Sequence, residues 1–178
     1  LPRHLKLGLG KIVGGTLAST VLHQISLEYY QEHMCGGTIL DKTRILTACH
    51  CVDFVTTKEI TVTCGTNHIN NIDSGAQKHI PVKSITMHEA YDSWTLENDI
   101  AIIELTQPLN LSTEDRAFNI EIAGKNYIPQ GPATVTGWGA LKEGASTLPT
   151  SLMTVNVPFV DNKSCNIAYD GDIKDGMI

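Results

Sequence analysis

The stretch CGGTILDKTRILTACHC, residues 35–51, carries the most information about the architecture of this chain. Its runs GGTIL and RILTA are rich in the β-branched and apolar residues that are typical of strands. The polar segment between these runs favours a turn. His50 follows the second run and stands between two cysteines. From this stretch alone, His50 is open to three interpretations: a metal ligand, a core residue or a catalytic base.

The composition is that of a folded domain with a hydrophobic core. The 178 residues are 42% hydrophobic and 18% charged, which is too little charge for a disordered chain. The formal net charge is −6, and no cluster of Lys and Arg is long enough to follow a phosphate backbone, so we expect no nucleic-acid partner. No apolar run approaches the length of a membrane span, so we expect no membrane-embedded part.

The secondary-structure pattern predicts an all-β fold. Short runs rich in Val, Ile, Thr and aromatic residues alternate with Gly, Asn, Asp and Pro, a spacing typical of sandwiches and barrels. Helical structure is predicted only as a turn around His50 and as a helix after Asp161, whose carboxylate is placed to cap it. The pattern is interrupted at 105–119. The predicted strands lie within residues 23–30, 36–41, 44–48, 59–64, 79–88, 99–105, 133–139 and 152–160.

Taken in order, several motifs resemble those of the trypsin/chymotrypsin-like serine endopeptidases. They are KIVGG at 11–15, CGGTIL at 35–40, LTACHC at 46–51, NDIAII at 98–103 and TVTGWG at 134–139. The resemblance extends from Lys11 to Ile178. It implies a double six-stranded antiparallel β-barrel of the trypsin-like type, with the second barrel incomplete in this chain.

The same resemblance suggests how the chain is organised. Residues 1–11 would be an activation peptide, residues 12–113 the first barrel, and residues 114–178 part of the second barrel. Lys11–Ile12 resembles the activation bond of a zymogen, in which cleavage creates a new amino terminus at Ile12. The opening segment has scattered basic residues and no continuous apolar run, so it does not resemble a signal peptide.

The resemblance assigns catalytic roles to His50 and Asp99. Such an enzyme needs a neutral imidazole that accepts a proton from its nucleophile. It also needs a carboxylate that fixes the tautomer of the imidazole and stabilises the imidazolium. His50 would be the general base and Asp99 the orienting carboxylate. The apolar run 100–103 is expected to place Asp99 in a dry environment, where its hydrogen bond to imidazole is stronger.

The histidine loop also contains the first expected disulfide. By the resemblance, Cys35 pairs with Cys51 across this loop. The zinc interpretation of His50 is weaker, because Cys49, His50 and Cys51 are consecutive and consecutive residues are poorly spaced for a tetrahedral chelate. We therefore expect no metal and no cofactor.

Three further cysteines depart from the family pattern or lack a partner in it. Cys49 and Cys64 stand where small apolar residues are usual. They are interpreted either as buried thiols or as an additional disulfide beneath the histidine. Cys165 is expected to be unpaired here, because its family partner would follow Ile178.

The largest departure concerns the nucleophile. The family's serine lies in a Gly-Asp-Ser-Gly-Gly motif, which is absent here, and Ser146, Ser151 and Ser164 lie in other contexts. We expect the sequence to be incomplete, with the serine beyond Ile178, and these residues alone to be inactive. The rival interpretation is a catalytically inactive homologue that acts by binding.

The remaining expectations concern calcium binding, glycosylation and partners. The loop 65–79, where some family members bind calcium, has Asp73 as its only carboxylate, so calcium binding is not expected there. Asn110 and Asn162 each begin an Asn-X-Ser pattern and are candidate glycosylation sites if the protein is secreted. By the resemblance, the protein is secreted, and its partners are polypeptide substrates, an activating protease and protein inhibitors of proteases.

Overall fold

The structure, a computed structural model, describes residues 12–124, 127–142, 144–145, 147–174 and 176–177. Lys11 and Ser146 therefore lie outside the described residues. The elements are β1 (Thr16–Leu17), β2 (Gln24–Tyr29), β3 (Glu32–Ile39), β4 (Arg44–Thr47), a 3-10 helix (Cys49–Cys51), β5 (Ile60–Cys64), β6 (Gln77–Met87), β7 (Ala101–Leu105), β8 (Ala133–Gly137), β9 (Met153–Val157) and α1 (Asn162–Ala168).

Six strands close into an antiparallel barrel in the order β2-β3-β4-β7-β6-β5. Alternate side chains of each strand point into the barrel, because successive residues of a strand face opposite sides. In β7, for example, Ala101, Ile103 and Leu105 are buried. Closure leaves no free strand edge, which makes the barrel a rigid support for the loops at its ends. Its most buried side chains include Ile25, Leu27, Ile39, Ile45, Cys49, Val62 and Ile103, all 0% exposed.

The remaining strands form a three-stranded sheet in the order β1-β9-β8. Val135 and Val157 are exposed on this sheet, so the described residues do not cover it completely. Within residues 12–113, the range that the resemblance gives to the first barrel, β1 pairs with β9 of the three-stranded sheet through Thr16↔Thr154 and Leu17↔Met153. A strand of two residues is too short to show an alternating pattern, which is why the sequence did not reveal it.

Side chains and backbone groups join the barrel to the sheet. Trp138 is 2% exposed, and its indole N–H donates to the carbonyl oxygen of Asn67 at 3.1 Å. The hydroxyl of Thr136 donates to Oε1 of Gln24 at 2.8 Å. These contacts fix the barrel relative to the sheet, and the candidate site lies between them.

The predicted fold class is confirmed: the chain is all-β, with a closed six-stranded barrel and a partial second sheet. Each predicted strand is present with small changes at its ends. The predicted helix is also present, and Asp161 caps it by accepting a hydrogen bond from the backbone N–H of Ser164 at 3.0 Å. Among the described residues, no helix is long and apolar enough to cross a membrane.

Candidate active site

Strand pairing brings His50 and Asp99 together although they are far apart in sequence. His50 lies in the 3-10 helix directly after β4, and Asp99 lies directly before β7. These strands are antiparallel neighbours, with Thr47 opposite Ala101. The end of one strand therefore meets the start of the other, and the residues that flank them share one end of the barrel.

Asp99 binds His50 through both carboxylate oxygens. Oδ1 accepts a hydrogen bond from the backbone N–H of His50 at 2.8 Å, and Oδ2 lies 2.6 Å from the ring Nδ1. Because a carboxylate only accepts, Nδ1 carries the proton and Nε2 is left with its lone pair. The side chains are 33% and 18% exposed, so the pair is shielded while the ring remains accessible. This arrangement suits a general base.

Asn98 shapes the backbone before Asp99, a role that the motif at 98–103 did not reveal. Its φ of 56° lies in the left-handed region, which asparagine tolerates better than most residues. Its side-chain amide donates to the carbonyl oxygen of Ala90 at 2.8 Å, and its own carbonyl accepts from the N–H of Ile100 at 2.8 Å. The only sequence signal is that asparagine precedes the aspartate.

Cys35 and Cys51 form a disulfide, the pair that the resemblance implied. It links β3 to the 3-10 helix that carries His50. These sulfur atoms lie within 4.8 Å of a ring nitrogen of His50, but sulfurs bonded to each other are not thiolates and do not act as metal ligands. This grouping therefore does not support the zinc interpretation of His50.

The additional disulfide between Cys49 and Cys64 is not formed, and this interpretation is corrected: both cysteines are buried free thiols. The Cys49 thiol instead donates to the carbonyl oxygen of Ile100 at 3.0 Å. Burial raises the pKa of both thiols above the usual value, to about 12 for Cys64. They are therefore protonated, unreactive groups near neutral pH.

Alkylation should show whether Cys49 and Cys64 are buried free thiols or form a disulfide. In a folded protein of residues 1–178 at pH 8, we expect iodoacetamide to modify Cys165, which is partly exposed, but not Cys49 or Cys64. After denaturation without a reductant, Cys49 and Cys64 should also react, while Cys35 and Cys51 should not. Peptide mass mapping measures each site. If Cys49 and Cys64 became reactive only after reduction, they would be bonded to each other.

A cavity of about 590 Å³ lies beside His50 and the Cys35–Cys51 disulfide. Its wall also includes His33, which is mostly buried and lies edge-on to Trp138, with ring centroids 5.1 Å apart. Burial, opposed in part by the charge of Glu28, lowers the pKa of His33 to about 4. His33 is therefore neutral near pH 7, and its Nδ1 lies 2.8 Å from the hydroxyl oxygen of Ser26.

Ile12 forms another part of the cavity wall. It is 4% exposed, and its backbone N–H donates to the carbonyl oxygen of Ala140 at 2.9 Å. A Cβ added at Gly15 would lie 2.5 Å from Cγ2 of Ile12, so only glycine fits beside this side chain. The other half of the candidate activation bond, Lys11, lies outside the described residues.

The carboxylate of Asp73, in the loop 65–79, is hydrogen-bonded to other side chains of the protein. Oδ2 of Asp73 accepts hydrogen bonds from the Arg116 guanidinium at 2.9 Å and from the Thr66 hydroxyl at 3.2 Å. Although burial acts in the opposite direction, hydrogen bonds from Asn67, Thr66 and Arg116 lower the pKa of Asp73. The carboxylate of Asp73 is thus already paired with the Arg116 cation.

We expect calcium to have no effect on the stability of this loop. Because Asp73 is paired with Arg116 and hard cations need several oxygen ligands, millimolar CaCl₂ should change the Tm by less than about 1 °C. Differential scanning fluorimetry with CaCl₂, EDTA or MgCl₂ measures this, with MgCl₂ as the ionic-strength control. A calcium-specific rise of several degrees would contradict it.

The two candidate glycosylation sites differ in their surroundings. Asn110 is exposed, and its backbone is held by the side chain of Gln77. Asn162 lies at the start of α1, and its side-chain amide donates to the carbonyl oxygen of Met177 at 2.7 Å. A glycan on Asn162 would compete with that hydrogen bond, so Asn110 is the more compatible site.

A β-barrel that presents a histidine hydrogen-bonded to a carboxylate beside a cleft has a side chain that can act as a general base. The family model for trypsin matches residues 12–178, and the chain belongs to the trypsin family. Trypsin epsilon of Drosophila erecta is 35% identical over 174 residues, which cover 95% of this chain and 66% of that protein. Trypsin Blo t 3 of Blomia tropicalis is 37% identical, with 94% and 64% covered. The chain thus spans just under two thirds of the length of these relatives.

Proposed function

We propose that residues 1–178 are part of a secreted serine endopeptidase that is made as a zymogen. The observation that carries this proposal is the His50–Asp99 pair, in which the carboxylate holds both the backbone and the ring of the histidine. The relatives named trypsin support the same class of reaction. The cavity beside His50 offers a place for a polypeptide substrate and for the nucleophile.

The proposed reaction is acyl transfer. A serine hydroxyl attacks the substrate carbonyl carbon while Nε2 of His50 takes the hydroxyl proton. The tetrahedral intermediate collapses, the C–N bond breaks, and His50 gives the proton to the leaving amine. Water then attacks the acyl-enzyme by the same route. Asp99 stabilises the imidazolium in each half of the reaction.

We propose that this serine lies outside residues 1–178. Ser164 donates to the carboxylate of Asp161 at the start of α1, and Oγ of Ser151 lies 3.3 Å from Nδ1 of His68. Among the hydrogen bonds of the described residues, no carboxylate holds His68, so Ser151 and His68 lack the third member of a catalytic triad. We therefore propose that residues 1–178 alone hydrolyse peptides negligibly.

Activation is proposed to occur by cleavage between Lys11 and Ile12. Ile12 is buried against Gly15 and the body of the protein, which supports a structural role for the amino terminus that cleavage would create. Secretion is supported by the Cys35–Cys51 disulfide, since disulfides persist in oxidising compartments. The activating protease and protein inhibitors are the further partners we propose.

The test uses the complete protein that contains these residues. Limited digestion with trypsin should release a peptide ending at Lys11 and expose Ile12, as measured by N-terminal sequencing. The product should then hydrolyse chromogenic peptide amides and react once with a serine-directed phosphonate. Cleavage that produces neither hydrolysis nor labelling would favour the inactive homologue that acts by binding.

A further inference from the structure

One hydrogen bond beside the catalytic pair has no role in the reaction described above. The hydroxyl of Tyr91 donates to Oδ2 of Asp53 at 3.4 Å. Asp53 lies in the turn that continues the 3-10 helix, and its backbone N–H donates to the carbonyl oxygen of Cys49 at 2.9 Å. Tyr91 lies in the loop between β6 and β7. The bond therefore connects the segment that carries His50 to the segment that carries Asp99.

The carboxylate of Asp53 has few hydrogen-bond donors around it, which makes the bond from Tyr91 important. Its Oδ1 is buried and has no hydrogen-bond partner among the described residues. In the same part of the chain, the Tyr91 hydroxyl is the only side chain that donates to Oδ2. A buried carboxylate oxygen without a donor is costly, so removing the hydroxyl should drive Asp53 towards water.

The Tyr91 hydroxyl is a permanent donor in this environment. Burial, together with the charges of Asp53 and Asp99, raises the pKa of Tyr91 above its usual value. After the larger effect of burial, Asp99 and Asp53 also contribute to the raised pKa of Cys49. Both carboxylates therefore lie close to Tyr91, and the hydroxyl keeps its proton at any pH at which the enzyme would work.

The other end of the same loop is held at Cys49. The Cys49 thiol donates to the carbonyl oxygen of Ile100 at 3.0 Å, directly after Asp99. Tyr91 holds the loop on the other side of Asp99. The loop is thus attached to the His50 segment on both sides of the carboxylate that must stay 2.6 Å from Nδ1. Small displacements of such groups reduce catalysis strongly.

We propose that Tyr91 and Asp53 are positioning residues of the active site, whose hydrogen bond holds the Asp99 loop against the turn that carries His50. Neither residue touches the reacting atoms in this role. The effect on catalysis rests on the proposed peptidase function, but the effect on the His50–Asp99 geometry does not.

The first test is Tyr91→Phe, which removes one oxygen atom. In the purified protein before any proteolytic activation, the Nδ1–H proton of His50 should give a downfield NMR signal because it is bonded to Asp99. We expect Tyr91→Phe to shift or broaden this signal. The matched control is Tyr30→Phe, because Tyr30 also donates to a carboxylate, that of Glu59 at 3.3 Å, but on the surface. The control should leave the signal unchanged.

Activity of the complete, activated protein gives a second readout. We expect Tyr91→Phe to lower kcat by about fivefold, with KM changed less than about twofold, since only the geometry of the catalytic pair is affected. Tyr30→Phe should leave both constants unchanged.

A second pair of variants keeps the test decisive if Tyr91→Phe does not fold. Asp53→Asn retains an acceptor oxygen for Tyr91 and should keep the His50 signal, whereas Asp53→Ala should disturb it. If Asp53→Ala or Tyr91→Phe folds and gives the native signal, the proposal is wrong. If the variants disturb the signal but the complete protein has no peptidase activity, the proposed function fails and the positioning role stands.

Discussion

Replacement of Asp99 by asparagine is expected to reduce kcat/KM of the complete, activated protein by about three orders of magnitude or more. Asp99 accepts from both the backbone N–H and the ring Nδ1 of His50. An amide cannot accept through both of its heteroatoms, because its nitrogen donates. When the nitrogen of the new amide faces the ring, Nδ1 becomes the acceptor and Nε2 carries the proton. His50 then cannot take the proton of the nucleophile.

The control for this variant is Asp92→Asn in the same loop. Oδ1 of Asp92 accepts from the backbone N–H groups of Trp94 and Thr95, and an asparagine oxygen can accept both. This substitution also removes one negative charge near the site, so it separates charge from geometry. Steady-state hydrolysis of a chromogenic peptide and a circular dichroism melt measure activity and folding. A folded Asp99→Asn variant within tenfold of the native kcat/KM would contradict the assigned role of Asp99.

Removal of the Cys35–Cys51 disulfide is expected to lower the free energy of unfolding by about 3 kcal/mol. The disulfide closes a loop with a sequence separation of 16, which restricts the unfolded chain. It also anchors the 3-10 helix of His50 to β3. We therefore expect the Cys35→Ser, Cys51→Ser double variant to unfold at a lower urea concentration and to hold His50 against Asp99 less rigidly.

Cys165→Ser is the matched control when both variants are made in a protein of residues 1–178, where Cys165 is a free thiol. Cys165 lies in α1, is free and is only partly buried, so its replacement should change the free energy of unfolding by less than about 0.5 kcal/mol. Urea denaturation followed by tryptophan fluorescence measures both variants against the native protein. Equal midpoints for the native protein and the double variant would show that the disulfide does not stabilise the fold.

Local features of the chain were sufficient to predict most of the architecture. Runs of β-branched residues between turn residues predicted the strands, because these side chains fit a pleated, half-buried surface. Asp161 predicted the start of α1, because capping is a contact between residues that are close in sequence. The ordered motifs also identified the family and the residues His50 and Asp99. The order of these motifs along the chain can be read without knowing any distance between residues.

Contacts between residues distant in sequence were not predictable in this way. Whether Cys49 and Cys64 bond to each other depends on where their side chains point inside the barrel, and Cys49 points to Ile100 instead. The pairing of Asp73 with Arg116 equally depends on how two loops meet.

The amino-acid sequence by itself therefore determined the strands, the capped helix, the family and the candidate pair of His50 and Asp99. Only the tertiary structure decided the state of the buried thiols, the position of β1 in the second sheet and the bond between Tyr91 and Asp53. The physical reason is that local propensity acts within a few residues along the chain. Hydrogen bonds and burial between distant segments arise only after the barrel has closed and brought those segments together.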